Sequence, residues 1–319
     1  MMTVNRILMM AATLPLMAAC GGSGSDTSPS GIEPPPQPTS TSFSLAVSDA
    51  PVDSALAVVV YFDQVELIGN GDPQTFDVRD ENGDPRQIDL LTLTGESFET
   101  LVDGEQIPLG DYTQLRVVVT DASYIEMEEG TFELKVPSNE LKLDGFTAQA
   151  NVTAAYTLEF DLRKSLVDPV GKAHIFLKPR GVRLVANSEV GTIEGAVADS
   201  LILDESCATK TDPNKGNAVY LYQGADLEPA SLGDDADAPA DENEIAPYAI
   251  AEVTLDEESA EYRYEAAYLA AGDYTLAFTC QALVDQPETD EGADEGFVFL
   301  DTQSATVIAG ESIAVSFPE

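Results

Sequence analysis

Carboxylates dominate the side chains of this chain that could do chemistry. It has 57 Asp and Glu residues but a single histidine, His174, and three cysteines. Zinc sites and Ser-His-Asp or Cys-His catalysis need histidines or thiolates in a cluster, so hydrolases of these kinds are excluded. His174 follows a strand pattern with Ile175 and Phe176, where we expect a packed or surface role. A carboxylate-dependent hydrolase stays open by composition, although the absence of tryptophan disfavours a sugar-stacking cleft.

Calcium binding is a second candidate chemistry, because hard cations prefer clustered oxygen ligands. The residues that could supply these oxygens are Asp80, Asn82, Asp84 and Asp89. Gly83 stands where a calcium loop has its invariant glycine, but this alignment puts Val78 at the first ligand position. Asn-Gly is also the strongest short signal for a hairpin turn, and the sequence favours the turn. No cofactor other than calcium is expected.

The formal net charge of -42 is unevenly distributed. From residue 188 onward the chain has 30 acidic residues and three basic ones, Lys210, Lys215 and Arg263. Such a surface repels phosphate backbones and anionic headgroups, which excludes nucleic acid as a partner. A cationic partner or another protein of the cell envelope is compatible with this charge, as is a role in solubility alone.

Basic residues collect in one segment of the first half. Six of the fifteen are Arg163, Lys164, Lys172, Lys178, Arg180 and Arg183. These cations could dock an acidic partner or the acidic C-terminal half of the same chain. Intramolecular pairing is the simpler interpretation, and we expect it.

Short runs rich in Val, Ile, Leu, Thr, Tyr and Phe alternate with Gly, Pro, Asn and Asp, which is typical of an all-β chain. Seven such runs precede the polar segment 187–189 and seven follow it. The predicted strands include residues 87–93, 174–185, 191–197, 218–222, 262–268 and 274–280. We therefore predict two β-sandwich domains, at residues 43–187 and 188–319. Both halves contain Gly-Asp-Tyr-Thr before an apolar strand. The tyrosines, Tyr112 and Tyr274, are expected to hydrogen-bond back across a sandwich corner.

The first twenty residues have the layout of an export signal. Arg6 precedes the short apolar stretch 7–19, and small residues stand before Cys20. This arrangement resembles the lipobox of bacterial lipoproteins, although Met17 stands where that family prefers leucine. The resemblance implies a signal peptide at residues 1–19 and lipidation of Cys20, which would attach the protein to a membrane.

The residues that follow Cys20 indicate its destination. Gly21 is not the aspartate that retains such lipoproteins at the inner membrane, so the resemblance favours the outer membrane. Residues 20–42 form the next predicted unit, in which Gly, Ser, Thr and Pro prevail and no apolar face can be buried. We expect a disordered tether there.

Lipidation of Cys20 leaves Cys207 and Cys280 in a compartment that permits disulfides. They are predicted to pair, and two buried free thiols are the alternative. A disulfide that closes the loop between Cys207 and Cys280 contributes about 3 to 5 kcal/mol to the free energy of unfolding on the chain-entropy estimate.

Several segments of the first half carry a family resemblance. They read SLAVSDAPVDSALAVVVYFDQVEL from residue 44, QIDLLTL from residue 87, IPLGDYTQLRVVV from residue 107, and FDLRKSLV and FLKPRGVRLV within residues 160–185. Over about residues 42–186 the chain resembles the bacterial lipoproteins catalogued as "domain of unknown function 4382". The resemblance implies an exported lipoprotein and no established activity.

The second half is similar to carboxypeptidase-regulatory or transthyretin-like sandwiches. Its opening strand, with Gly191, Ile193, Gly195 and Val197, matches their G-x-I-x-G-x-V pattern, and Leu269–Phe278 matches a closing L-x-x-G-x-Y-T-L segment. The acidic insert at residues 226–244 departs from their compact loop. The resemblance implies an all-β fold of two Ig-like or transthyretin-like β-sandwich domains after the signal and tether.

These patterns predict a membrane-anchored envelope lipoprotein that acts as a non-enzymatic binding or structural module. The alternative is a carboxylate-dependent hydrolase or a calcium-dependent binding protein. A concave pocket with converging carboxylates would favour the hydrolase, whereas chemistry confined to loops would favour the module.

Replacing Cys20 with serine tests the anchor. Because serine cannot accept the thioether-linked lipid, we expect Cys20→Ser to move the protein from the membrane fraction to the soluble fraction. Cell fractionation followed by immunoblotting measures this, with Cys207→Ser as the control that keeps the lipidated cysteine. A Cys20→Ser protein that still sediments with membranes would show that the anchor is elsewhere.

Overall fold

Alternating apolar and polar side chains along the strands decide which residues form the core of this nearly all-β chain. The computed structural model describes residues 38–50, 55–167, 173–208, 210–234, 244–285 and 297–318. Residues 38–319 belong to one compact unit. The predicted signal peptide, Cys20 and most of the predicted tether lie outside the described residues. Residues 40–42, the end of the predicted tether, are instead part of the first strand, because they pair with residues 106–108.

The first half carries thirteen strands and one short helix within its described residues. They are β1 (Ser40–Ala50), β2 (Ala57–Gly69), β3 (Gly71–Asp77), β4 (Arg86–Asp89), β5 (Glu99–Pro108), β6 (Gly110–Val119), β7 (Tyr124–Met127), β8 (Gly130–Lys135), β9 (Glu140–Ala148), β10 (Ala154–Asp161), α1 (Leu162–Ser165), β11 (Leu166–Val167), β12 (His174–Leu177) and β13 (Val182–Ala186). Short 3-10 helices cover Leu90–Thr92, Pro137–Asn139 and Pro179–Gly181.

The second half has eight strands and one short helix in the part that the structure describes. They are β14 (Val190–Val197), α2 (Asp199–Ile202), β15 (Ala218–Gln223), β16 (Ala249–Glu252), β17 (Thr254–Asp256), β18 (Glu261–Ala270), β19 (Gly272–Thr279), β20 (Asp301–Val307) and β21 (Ser312–Ala314). Two further 3-10 helices cover Glu205–Cys207 and Pro229–Ser231.

Two sheets of the first half share one apolar core. One sheet has the order β13-β10-β1-β5, and the other has the order β11-β12-β8-β7-β2-β6-β9, with β3 and β4 also paired to β2. Phe43 and Leu45, two positions apart on β1, lie in the same buried cluster as Val58, Val60 and Phe62 of β2. Strand β1 pairs with β10 in parallel and with β5 antiparallel.

The second half forms two four-stranded sheets of its own, with the orders β17-β18-β14-β21 and β16-β15-β19-β20. Ile193, Leu221 and Phe278 belong to the cluster between them. Tyr220 and Tyr222 alternate with Leu221 along β15 and belong to a separate cluster. Because neighbouring side chains of a strand face opposite ways, β15 is buried on both faces.

The repeated Gly-Asp-Tyr-Thr segment forms the same corner in both halves. Tyr112 Oη donates a hydrogen bond to the carbonyl of Pro108 at 3.0 Å, and Tyr274 Oη donates to the carbonyl of Ala270 at 2.9 Å. In each case the bond reaches back four residues, across the glycine that opens the strand. The predicted role of the two tyrosines is confirmed.

The aspartates of the repeat also make matching contacts. Asp111 lies opposite Thr147 in the register of β6 and β9, and its carboxylate accepts a hydrogen bond from that threonine at 2.7 Å. Asp273 accepts an equivalent bond from Thr306, its register partner on β20, also at 2.7 Å. The repeat in sequence is therefore a repeat in structure.

Cys207 and Cys280 form a disulfide, as predicted, with Cα atoms 5.7 Å apart. The bond joins the 3-10 helix Glu205–Cys207 to the residue that follows β19. Both cysteines are buried in the cluster between the two sheets of the second half. A disulfide between cysteines 73 residues apart contributes about 4 kcal/mol to the free energy of unfolding on the chain-entropy estimate.

The structure confirms an all-β chain but corrects several predicted strands. The predicted strand at residues 174–185 is two strands, because Pro179 lacks an amide hydrogen and the 3-10 helix Pro179–Gly181 interrupts the pairing. The strand predicted over residues 87–93 ends at Asp89, whose carboxylate caps the helix Leu90–Thr92. None of the helices in the described ranges is long and apolar enough to cross a membrane.

Removing the two corner hydroxyls should weaken the fold by equal amounts. We expect Tyr112→Phe and Tyr274→Phe each to lower the free energy of unfolding by about 1 kcal/mol, since each loses one part-buried hydrogen bond and keeps its ring. Urea denaturation measures this. The control is Tyr61→Phe, whose hydroxyl bonds the exposed Gln87 side chain and should matter less. A corner variant no weaker than the control would contradict the assignment.

Candidate functional site

The four-stranded sheet of the first half buries a polar face. On β10, Leu158 and Phe160 belong to the core. The polar residues that alternate with them are buried as well: Thr157, Glu159 and Asp161 are only 1%, 5% and 3% exposed. Side chains alternate between the two faces of a strand, so both faces of β10 are covered. The C-terminal half of the chain lies against the polar face of β10.

We call this contact zone the seam. From the first half it contains Glu96, Glu159, Asp161, Arg163, Lys164 and Arg183, and from the second half Pro247, Tyr248, Glu265, Tyr268 and Ala282.

Three of the clustered cations make direct contacts across the seam. Arg163 Nη1 donates to the carbonyl of Ala282 at 2.6 Å, and Lys164 Nζ donates to the carbonyl of Pro247. The guanidinium of Arg183 lies 4.2 Å from the centre of the Tyr248 ring. The prediction of intramolecular docking is confirmed for these three, although these contacts are with carbonyl oxygens and a ring rather than with surface carboxylates.

A second set of seam contacts surrounds Glu96. Its carboxylate accepts a hydrogen bond from Thr192 Oγ1 at 2.9 Å, its amide donates to Glu265 Oε1 at 3.1 Å, and its carbonyl accepts from Tyr268 Oη at 3.2 Å. Burial, together with the charge of Glu96, raises the pKa of Glu265. Gly95 has φ +61°, a left-handed conformation that favours glycine, and a Cβ there would also displace the Glu265 carboxylate, which would lie 2.5 Å away.

Glu159 and Arg183 form a buried ion pair at the centre of the seam. They are register partners on β10 and β13, and Arg183 Nη2 donates to Glu159 Oε2. Burial raises the pKa of Glu159 to about 7; the nearby charge of Asp161 adds to the rise and Arg183 opposes it. For Arg183, burial is the largest single effect and lowers the pKa, but Glu159, Tyr248 and Asp161 together outweigh it and the pKa is raised.

A cleft opens beside this pair, between the two halves. Its volume is about 430 Å³, and Asp161, Lys164, Arg180, Arg183 and Tyr248 are among its lining residues. Asp161 Oδ2 and two nitrogens of Arg183, Nε and Nη1, are buried and make no hydrogen bond to the described residues. Burial lowers the pKa of Lys164 despite the neighbouring Asp161.

The predicted calcium residues form a hairpin turn at one end and a helix cap at the other. Asp80 Oδ1 accepts hydrogen bonds from the amides of Asn82 at 2.8 Å and Asp84 at 3.0 Å, and Gly83 has φ +86°. These amide bonds lower the pKa of Asp80. Backbone amides thus already engage the carboxylate of Asp80, the first in chain order of the predicted calcium ligands.

Asp89 lies apart from that turn, at the far end of β4. Its Oδ1 accepts from the amides of Val58 at 3.0 Å and Leu91 at 3.3 Å. Among the described residues, no group of three or more His, Cys, Asp and Glu side chains could hold a metal ion. The calcium hypothesis stays a prediction.

His174 occupies the strand position that was predicted for it. It opens β12, is half-buried, and its ring packs edge-on against Phe176 with centroids 4.9 Å apart. In the parallel register its neighbour is Glu133. This is a packing role.

Sequence reasoning missed Glu96, Glu159, Tyr248 and Tyr268 as members of the seam. Glu159 stands in the run TLEFD, where an acidic residue between two apolar ones normally faces water. Nothing in that local pattern shows that the second half of the chain covers the polar face. A useful signal was present nearby, because the cations at 163–164 directly follow the same strand.

A family model described as "Domain of unknown function (DUF4382)" matches residues 40–179. This confirms the resemblance noted for the first half, and the description assigns no activity. A search of curated proteins finds no match.

Similar solved structures include the Bacillus anthracis TIE protein, which is 11% identical with a TM-score of 0.18, covering 86% of this chain and 33% of that one. The minor pilin GBS52 of Streptococcus agalactiae is 11% identical with a TM-score of 0.19, covering 86% and 94%. The shaft pilin spaA of Lactobacillus rhamnosus GG is 12% identical with a TM-score of 0.20, covering 88% and 99%. This chain spans about a third of the TIE protein, and at these TM-scores the likenesses carry no argument about function.

The raised pKa of Glu159 predicts a specific pH dependence of stability. Its pKa rises from 4.5 to about 7 on folding, so the folded state binds its proton more tightly and loses stability as pH rises from about 4.5 to 7. We expect Glu159→Gln to remove this contribution, about 3 kcal/mol across the window. Urea denaturation at several pH values measures it.

The comparison is made as the difference between variant and parent, because the many other carboxylates also titrate. Glu133→Gln serves as the control, since Glu133 is a surface carboxylate paired with Lys135. If the Glu159→Gln and Glu133→Gln profiles run parallel to the parent, Glu159 titrates normally and the seam does not perturb it.

Proposed function

We propose that the protein is a lipid-anchored, non-enzymatic binding module of the outer membrane. Its body consists of two Ig-like or transthyretin-like β-sandwiches that the seam locks together. The tether, which was predicted at residues 20–42 and ends before β1 begins at Ser40, holds this body away from the lipid, and the anchor is Cys20.

The division into two sandwiches is supported by the sheets and the corners. Within the described residues, no sheet contains strands from both halves, and each half has its own core. The threonines of the repeat also make similar hydrogen bonds in the two corners. Thr113 Oγ1 donates to the carbonyl of Ile68, and Thr275 Oγ1 donates to the carbonyl of Gly224. Two units with the same corner are what a pair of related sandwiches requires.

The observation that carries the proposal is the engagement of buried cations across the seam. Arg163 and Lys164 leave water and place their donors on carbonyl oxygens of the other half. Separating the halves would leave those carbonyls unpaired and expose the polar face of β10. Cations used in this way hold two domains in one orientation, which suits a module that presents loops to a partner.

Charge supports the anchored arrangement. A body with net charge -42 is repelled by anionic headgroups, so it needs a covalent anchor and a tether to stay near a membrane. The same charge favours a cationic surface on another envelope protein as its partner and disfavours nucleic acid.

Calorimetric unfolding of the full-length protein tests whether the halves act as one body. We expect a single transition for the parent. Arg163→Met should lower the free energy of unfolding by more than about 2 kcal/mol and separate the two halves into distinct transitions, because it removes a buried charged donor from the seam.

The matched control is Arg116→Met. Arg116 is an arginine of the same half whose guanidinium lies 3.9 Å from the part-exposed carboxylates of Glu66 and Glu140. Exposed ion pairs of this length contribute little, so this variant should unfold like the parent. Two independent transitions in the parent itself would show that the halves are not locked and would overturn the proposal.

A further inference from the structure

A second cleft between the two halves combines apolar side chains with carboxylates. Its volume is about 440 Å³, and Phe98, Val190 and Tyr268 are among its lining residues. Phe98, which directly precedes β5, is 57% exposed. A recess lined by aromatic and aliphatic side chains, with a few polar groups among them, is the usual form of a binding site. We call this recess the aromatic cleft.

The backbone of β18 places Tyr268 at the aromatic cleft. Ala267 and Tyr268 together oppose Thr192 in the register of β14 and β18, which makes a β-bulge. Tyr268 has φ +54°, a left-handed conformation that a tyrosine rarely adopts. Its hydroxyl donates to the carbonyl of Glu96 at 3.2 Å, so the ring reaches from the second half to the first. Bulges redirect side chains, and strained residues of this kind cluster at binding sites.

The charged groups of the aromatic cleft are acidic. Glu96 and Glu311 line it, and there is no lysine or arginine among its described lining residues. Glu96 accepts a hydrogen bond from Thr192, Glu311 is exposed, and none of the ion pairs in the described part of the chain involves either carboxylate. Burial and the charges of Glu96 and Glu194 raise the pKa of the neighbouring Glu265, so the local potential is negative.

A larger groove adjoins the aromatic cleft and has a similar character. Its volume is about 740 Å³, and Gly95, which precedes Glu96, is among its lining residues. Six of its described lining residues are acidic and two, Lys215 and Arg263, are basic. Leu56, which also lines the groove, is 61% exposed. Two neighbouring recesses of this kind suit an extended polypeptide, whose successive side chains can enter both, better than a small molecule.

We propose that the aromatic cleft receives a basic side chain from an extended segment of a partner protein. The cation of that side chain lies near the carboxylates of Glu96 and Glu311, and its apolar stem lies against Phe98 and Val190. Lysine and arginine suit this place, because their stems cover apolar surface while the charged end reaches polar groups. A second copy of this chain, with 57 acidic and 15 basic residues, would be repelled. The inference rests on the proposed role as a binding module and names where its cationic partner docks.

Fluorescence anisotropy with a labelled peptide tests the inference. The probe is fluorescein-labelled Gly-Ser-Arg-Gly-Arg-Ser-Gly, added to the full-length protein in a neutral detergent. We expect saturable binding that weakens as salt rises, because the contact is between charges. The same peptide with citrulline, a neutral analogue, in place of both arginines should bind about tenfold more weakly.

Variants of the aromatic cleft should weaken binding of the arginine peptide. We expect a loss of about threefold for Glu311→Gln, which removes one charge, and for Phe98→Ala, which removes apolar contact area. Both residues are exposed, so the fold is kept. Glu96→Gln should have a similar effect, since glutamine keeps an oxygen that can accept the hydrogen bond from Thr192.

Two matched controls separate the aromatic cleft from the general charge of the protein. Glu129→Gln removes the same single charge from the exposed turn between β7 and β8. Leu203→Ala removes an apolar side chain that is 68% exposed and does not line the cleft. Both controls should bind the peptide like the parent.

Absence of peptide binding would overturn the inference. So would equal binding of the citrulline peptide, or cleft variants that bind as well as their controls. Spermidine that binds as tightly as the peptide would also overturn it, because the site would then take a small polyamine. A single unfolding transition together with Cys20-dependent membrane attachment would in each case leave the proposed function intact, which separates the two failures.

Discussion

The fold depends on burying the polar face of one β-sheet without leaving its charges unpaired. Taking a carboxylate such as Glu159 out of water is costly unless an opposite charge and hydrogen bonds replace the water. Arg183 supplies the opposite charge and a hydrogen bond to Glu159, and its guanidinium also lies over the ring of Tyr248. One guanidinium thereby joins a strand pair of the first half to the second half, and losing it would leave a buried carboxylate alone.

The alternation of side chains between the two faces of β10 makes this arrangement possible. Along β10, Leu158 and Phe160 enter the core of the first half, while Glu159 and Asp161 enter the seam. A shift of one residue in register would exchange the two sets and place carboxylates in the apolar core. The pairing of Glu159 with Arg183 follows from the same register, since β13 runs antiparallel to β10. Folding of the first half therefore also prepares the surface that the second half covers.

Local patterns predicted the second half better than the first. Its strands follow runs such as AVYLYQ, where apolar residues are dense, and the predicted positions match β14, β15, β18 and β19 within a few residues. The first half contains strands of mainly polar residues, such as β3 (Gly71–Asp77) and much of β5 (Glu99–Pro108). Neighbouring strands stabilise these strands by pairing with them, so their own hydrophobicity does not reveal them. The seam could not be predicted for a related reason, because the sequence of a polar face looks the same whether water or another part of the chain covers it. Charge complementarity indicated that the cations would meet the second half, but not that they would bond to its carbonyl oxygens.

Burial of the seam also explains how two acidic halves can stay together. Their surface charges repel each other, and this repulsion is screened over about 8 Å at physiological ionic strength. Salt weakens the contacts of Arg163, Lys164 and Arg183 less, because they join largely buried groups: carbonyl oxygens, a ring and a buried carboxylate. Salt therefore weakens the force that drives the halves apart and leaves the force that holds them largely unchanged. An acidic surface and a buried cationic joint are compatible for this reason, and the joint should hold best where ionic strength is high.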